Sequence, residues 1–370
     1  MSGTTNQSGP SKLLGLEIIR LACALAVLVC HYHHFALIGD GRLMDGPHAP
    51  LEWLLFPFYQ YGSFGVQIFW CISGFIFFRK YAAALTERAV EAKRFFWLRF
   101  SRLYPLHFVT LLIVAAIQPV YSALAGNPFV YDNNGPFQFL LQLFLADQWG
   151  GSFQYSFNGP VWSVSAEVLV YLAFFLLMRT FGKSPWLVVG AIAAGLASLW
   201  SGAISPALIC GAYFFAGGAA SEALEDHSRR RTWLIGAIAL LGTGALAAPF
   251  LDLGDSDTDR LATWLLVMTP PLLFVAAQDW RWLDRWQAAI QAGGNLTYST
   301  YLIQFPLQLI IVTALLALGI APPVDKAWFL FAYLAATIIL GRLVFVRFEA
   351  PAQRMIRAAT LVRTNETVAA

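Results

Sequence analysis

Ten stretches of mainly apolar residues follow one another along the chain: 13–38, 61–80, 102–122, 160–181, 185–202, 205–222, 232–251, 260–277, 296–319 and 327–347. Each approaches the roughly 20 residues that a helix needs to cross a bilayer. Most are divided by short turns carrying Gly, Pro or charge, such as Gly182-Lys183-Ser184-Pro185. The pattern predicts an all-α polytopic membrane helical bundle of about ten transmembrane helices. Residues 136–147 are apolar but short, bounded by Pro136 and Asp147, and read as interfacial or re-entrant. Residues 1–11 read as a disordered N-terminal tail, 12–357 as one transmembrane domain and 358–370 as a cytoplasmic tail. Lys12 before an apolar run imitates a secretory signal, but Glu17 and Arg20 interrupt that run and it is long, so a retained first helix is expected.

Composition agrees. Of 370 residues, 58% are hydrophobic and 12% charged, against about 25% charge in a soluble domain. A net charge of +3 gives no reason to invoke nucleic acid. Cys23, Cys30, Cys71 and Cys210 all lie in apolar runs with no CxxC pair, so neither disulfides nor a metal site is expected. Charge placement sets the orientation, because Lys and Arg stay on the cytoplasmic side. Counting alternate loops puts 19 of the 24 Lys and Arg on the side of Lys12, three (Arg42, Arg260, Lys326) on the other, and Arg20 and Arg342 inside helices. Both termini are therefore expected in the cytoplasm.

Ionisable groups within a membrane are costly and usually functional. Arg20 and His31 lie eleven residues apart on the first helix, on nearly the same face and about 16 Å apart in rise. Snorkelling toward the surface and a partner in Glu17 are the bland explanation for Arg20. For His33 and His34 it is an interfacial position. The fourth helix opens Gly159-Pro160-Val161-Trp162-Ser163-Val164-Ser165-Ala166-Glu167. Counted from the outer face, Glu167 and His31 fall at equal depth. A carboxylate on one imidazole nitrogen would fix the tautomer and raise the basicity of the other. Counted the same way, Ser73 and Gln304 share the inner depth of Arg20. Ser73-Gly74 also suits plain close packing. Arg99 and Arg102 share a helix face, suited to a phosphate-rich ligand, although positive-inside placement alone explains them too. Glu349 is expected to pair locally.

In this order the motifs resemble the acyltransferase 3 family of integral-membrane acyltransferases over about residues 12–355. The resemblance rests on Arg20 and His31 with ten residues between them, on Phe69 through Phe75, and on Arg99 with Arg102. Trp162-Ser163-x-Ser165-x-Glu167 follows, then Tyr298, Tyr301 and Leu302, and finally Glu349-x-Pro351. The late motif usually ends in histidine, whereas this chain has Gln304, which hydrogen-bonds but does not titrate. The resemblance implies a multi-pass protein of the bacterial inner membrane. It would move an acyl group, commonly acetyl, from cytoplasmic acetyl-CoA or another acyl-CoA to a hydroxyl of a glycan or lipid-linked glycan, with membrane lipid around it and no permanently bound cofactor. His31, Glu167 and Arg20 would be catalytic. Arg99, Arg102 and Ser73 would bind donor, and Trp162 and Ser165 acceptor. Aromatic residues of the outer loop 123–159 (Tyr131, Trp149, Phe153, Tyr155, Phe157) suit either sugar stacking or an interfacial belt. A proton-coupled transporter or flippase is the competing reading, but such proteins often show two related halves, and none are evident.

Overall fold

Each of the ten apolar stretches forms helix in a computed structural model that describes residues 13–37, 49–150, 155–250 and 258–361. The helices are α1 (Leu14–Cys30), α2 (Glu52–Tyr61), α3 (Gly65–Phe77), α4 (Ala83–Thr86), α5 (Ala92–Ala125), α6 (Pro136–Leu143) and α7 (Val161–Phe181). They continue as α8 (Pro185–Trp200), α9 (Pro206–Glu225), α10 (Arg230–Ala247), α11 (Thr258–Ala276), α12 (Gln287–Ala317), α13 (Ala327–Val344) and α14 (Ala350–Leu361). No strand occurs among the described residues. Eight helical segments are long and apolar enough to cross a membrane, and α8 is a shorter apolar helix. The remaining stretch, 232–251, corresponds to α10. Helix α14 runs to Leu361, past the expected boundary at 357. The expected tail at 1–11, and Lys12, Arg42, Phe153 and Arg363, lie outside the described residues.

The outer wall is apolar, as lipid requires: Leu172, Leu176, Leu246, Phe331 and Ile339 are all exposed. Inside, α3 and α9 pack backbone against backbone, each helix supplying one glycine that lets it approach the other's main chain. A Cβ at Gly74 would stand 1.7 Å from the Phe214 carbonyl oxygen, and one at Gly217 would stand 1.9 Å from that of Cys71. Gly74→Val is therefore expected to force the two helices apart, costing at least about 1–3 kcal/mol. Thermal melting in detergent should show the loss, while Gly236→Ala, which meets nothing within 4 Å, should leave the transition in place.

Polar contacts gather several helix ends together. Arg179 Nη1 donates to the Val90 carbonyl at 3.2 Å, Lys183 pairs with Glu222 and Glu225 at 3.4 and 3.6 Å, and Arg230 donates to Gln278. This is the arginine-rich end of the bundle.

The connection from α5 to α7 does not stay at the opposite surface. Pro306 has no N–H, so the carbonyl of Leu302 one turn earlier loses its helical partner. Asn158 Nδ2 donates to that carbonyl at 3.1 Å and to Thr110 Oγ1 at 3.1 Å, and Asn158 is fully buried. Gln142, at the end of α6, is buried as well and donates to the Ser156 carbonyl. The chain thus dips into the bundle before α7 begins, and Val161, its first residue, has no exposed surface.

Candidate active site

A cavity of about 300 Å³ opens among α1, α3, α5, α7, α12 and α14 toward the arginine-rich end. Arg20 enters it from α1. Its Nη1 donates to Glu17 at 2.9 Å, one turn back on the same helix, and its Nη2 donates to Thr297 Oγ1 of α12 at 3.0 Å. Arg20 is therefore held across the bundle rather than led to the surface.

Ser73, Tyr171 and Glu167 form a chain of oxygens on the facing wall. Tyr171 Oη donates to Glu167 Oε1 at 2.6 Å and lies 2.9 Å from Ser73 Oγ. The tyrosine's one proton is committed to the carboxylate, so the serine is the donor to the tyrosine. Ser73 and its neighbour Gly74 divide the work read from their pair: the serine lines the cavity, and the glycine admits α9.

Arg99 and Arg102 also line the cavity. After α3 the helix widens into a π-turn over Phe78–Ala82, a local rearrangement common at functional sites. Tyr81 of that turn accepts from Arg99 Nη2 at 2.8 Å, and the guanidinium carbon lies 4.7 Å from the Phe77 ring centroid. A second π-turn, Phe345–Glu349, carries Glu349 to Arg102, whose Nη1 donates to Oε1 at 2.7 Å. Ser299 Oγ and Gln353 Nε2 also donate to this carboxylate. Glu349 does not pair only locally, as expected from sequence; it joins α5, α12 and α14.

His31 lies further from the arginine-rich end, in a second polar layer. It begins the tighter helical turn His31–Ala36 that prolongs α1. Its ring stacks on that of His34 at 4.9 Å. Gln308 Nε2 donates to the His31 carbonyl at 2.8 Å, and Gln308 Oε1 accepts from His34 Nδ1 at 3.0 Å. Gln304 stands within interacting reach of the His31 imidazole, yet neither His31 Nδ1 nor Gln304 Oε1 completes a hydrogen bond. Both are buried polar atoms left without a hydrogen-bond partner.

Two depths read from sequence are corrected. Gln304 belongs to the layer of His31, not to that of Arg20 and Ser73. The Arg20 partner on α12 is Thr297, about 10 Å earlier along that helix. Glu167 belongs to the layer of Arg20 and Ser73, not to that of His31: its charged neighbours are Arg99 and Arg20. Among the described residues no hydrogen bond or ion pair joins Glu167 to His31. The buried start of α7 is the reason. Tyr301 Oη donates to the Pro160 carbonyl and lies 2.8 Å from Ser163 Oγ, so α7 begins level with the middle of α12, and Glu167 lies one turn deeper still.

Of the residues assigned to the acceptor, Trp162 is half-buried and meets Trp70 edge-on at 5.5 Å and Tyr155 at 6.1 Å. Ser165 is fully buried. Its Oγ accepts from Gln148 N at 3.1 Å, and its carbonyl accepts from Trp149 Nε1, so it anchors the returning loop. Asp147 is buried beside it; burial pushes its carboxyl above the ordinary range, against the opposing hydrogen bonds of Gln148 and Ser165. Tyr131 stacks with Tyr155 at 5.7 Å and meets His34 edge-on at 6.0 Å. An aromatic wall thus runs from the loop to the histidine layer.

Sequence reasoning passed over Tyr171, Thr297, Gln308 and the partnering of His34. Tyr171 lies four residues after Glu167 and Gln308 four after Gln304, so helical spacing was the available signal. Arg357, counted only toward orientation, also lines the cavity.

These features define a multi-pass membrane protein with an arginine-walled cavity leading toward a histidine layer. Residues 13–345 match the model of the family described as "Acyltransferase domain", and the chain belongs to that family of acyltransferases. It is also similar to the acyltransferase MdmB of Streptomyces mycarofaciens, 31% identical over 192 residues, which are 50% of this chain and 44% of that protein. The match thus spans less than half the length of that relative. No solved structure matches.

Proposed function

We propose that the protein is an O-acyltransferase of the bacterial inner membrane. It moves an acyl group, acetyl in the simplest case, from cytoplasmic acyl-CoA to a hydroxyl of a sugar in an exported or lipid-linked polysaccharide. The observation that carries the reading is the cavity itself. It starts at Arg99 and Arg102 and ends against Ser163 and Tyr301, one helical turn of α12 short of Gln304 and the His31 layer.

On this reading the arginine-rich end faces the cytoplasm, as the distribution of Lys and Arg favours. Arg99 and Arg102 hold donor phosphates through charge-assisted hydrogen bonds. The pantetheine arm passes Arg20, Ser73, Tyr171 and Glu167, whose polar atoms match its amides. The thioester carbonyl then arrives below His31. The imidazole takes the proton of the acceptor hydroxyl as that oxygen forms its bond to the acyl carbon. The carbon–sulfur bond breaks, and the proton passes to the departing thiolate. Gln304, rather than Glu167, would orient the imidazole, since it is the side chain within its reach. Tyr131, Tyr155 and Trp162 offer ring faces to the acceptor sugar.

The test is transfer and binding with radiolabelled acetyl-CoA and protein purified in detergent; absence of binding, donor hydrolysis and transfer together would reject the enzyme's donor. Arg99→Ala with Arg102→Ala is expected to raise the donor KM by about 10- to 100-fold, the scale of lost hydrogen bonds to charged groups, with kcat changed far less. An unchanged donor KM would remove the phosphate role.

A further inference from the structure

Helix α14 begins at Ala350, beyond the residues matched by the acyltransferase family model. It nevertheless delivers a third guanidinium to the cavity. Arg357 lines it together with Arg99 and Arg102, close enough that both of those charges repel it. Like charges gather at such a spot only at a cost that something else must offset. Part of that is intramolecular: Arg357 Nε donates to Ser101 Oγ at 3.1 Å, and its Nη2 reaches Gln353 Oε1 at 3.4 Å. These partners are neutral. The Arg99 partner, the Tyr81 hydroxyl, is neutral as well, and Arg99 Nε is buried without any partner. Arg102 is paired with a carboxylate, that of Glu349, and the Glu167 carboxylate lies near Arg99 without a hydrogen bond to it. Among the described residues the three arginines, set against Glu349 and Glu167, leave an excess of one positive charge in the cavity, and Arg357 has no carboxylate partner.

We propose that Arg357 completes, with Arg99 and Arg102, a site for a phosphomonoester dianion, the 3′-phosphate of the coenzyme A donor. The proposal rests on the acyl-CoA reading and deepens it. Three guanidiniums on one cavity wall suit one phosphomonoester, which offers three acceptor oxygens on a single phosphorus, has its second ionisation near pH 6 and is close to doubly charged at neutral pH. The diphosphate bridge of the same nucleotide spreads its two charges over two groups. Arg99 is fixed in advance between the Phe77 and Tyr81 rings and Arg357 by Ser101, so little side-chain freedom is lost on binding. Arg357 binds and positions donor; it takes no part in the chemical step.

The experiment compares acetyl-CoA with acetyl-dephospho-CoA, which lacks the 3′-phosphate, on wild type, Arg357→Ala and Arg357→Lys, together with direct titration of coenzyme A. Arg357→Ala is expected to raise the acetyl-CoA KM about 10- to 100-fold with kcat within about twofold. Arg357→Lys should recover part of that loss, since it keeps the charge but not the planar fork. With the dephospho donor, wild type should already show the raised KM, and Arg357→Ala should raise it by less than about twofold, which separates phosphate recognition from general damage to α14. An unchanged acetyl-CoA KM in Arg357→Ala overturns the proposal, and so does an equal rise for both donors. Failure of wild type to bind coenzyme A at all would instead bring down the donor reading on which the proposal stands.

Discussion

Replacing His31 by alanine is expected to lower kcat for acyl transfer by about 10²- to 10⁴-fold, the contribution of a general base, and to leave donor affinity almost unchanged. The separation follows from the two layers. His31 does not line the cavity that holds Arg99 and Arg102, so its loss removes nothing that the donor phosphates touch. Its neighbours also define the comparison. Gln304→Ala should reduce kcat by a smaller factor, because the imidazole remains but loses the side chain that orients it. Glu167→Gln should act on the donor side, through Tyr171 and Ser73, since among the described residues it has no bond to His31. Single-turnover measurements with radiolabelled donor, paired with equilibrium donor binding, distinguish these effects. Full activity in His31→Ala would end the assignment of the base. A Glu167→Gln variant with unchanged donor affinity and a loss equal to that of His31→Ala would restore the direct carboxylate–imidazole pairing.

Glu349→Ala is the second large effect, this time on stability. The carboxylate is 1% exposed and accepts from Arg102, Ser299 and Gln353. Its removal leaves the guanidinium of Arg102, whose side chain is 27% exposed, without its counter-charge. Breaking a buried ion pair from one side costs about 3–5 kcal/mol. Because Arg102 retains an opening to the cavity, the lower end of that range is expected, near 3 kcal/mol. Glu349→Gln keeps the hydrogen-bonding shape and should cost less. Thermal melting in detergent checks both variants, and a Glu349→Ala protein that melts with wild type would show that the carboxylate does not hold α5, α12 and α14 together. Added coenzyme A should narrow the gap for Glu349→Ala, since a bound phosphate supplies negative charge beside Arg102 and binding to the folded state stabilises it.

Much of the candidate site was legible because helices are periodic and lipid is unforgiving. Arg20, Ser73, Arg99 and Arg102 stand out in sequence as polar residues in apolar company or as neighbours on one helix face, and all four line the cavity. His31 and Glu167 stand out on the same ground, but their relation is not legible in sequence. Depth along an apolar run gives a side chain's level only if every helix starts at a membrane surface. α1 and α12 run alongside each other, so matching Arg20 with Thr297 and His31 with Gln304 needed their contact, not only their lengths. α7 breaks that condition outright: Pro306 strips the Leu302 carbonyl of its partner, Asn158 descends to satisfy it, and α7 starts inside the bundle. Glu349 was likewise visible as a charge near a helix end, while its partner Arg102 lies 247 residues away and no local rule reaches that far.

The order of apolar runs and isolated charges determined by itself that this chain is an all-helical membrane bundle and which ionisable side chains are worth watching. That holds because burying backbone in lipid admits few solutions and an unneeded charge there is costly. Only the tertiary structure decided which of those side chains meet: Glu167 with Tyr171 and Ser73, His31 with Gln304, Arg102 with Glu349, and Arg357 with the cavity. Those pairings depend on how far each helix slides along its neighbours. That slide is set by glycine contacts and by single unsatisfied carbonyls between segments remote in sequence, quantities that no count along one helix contains.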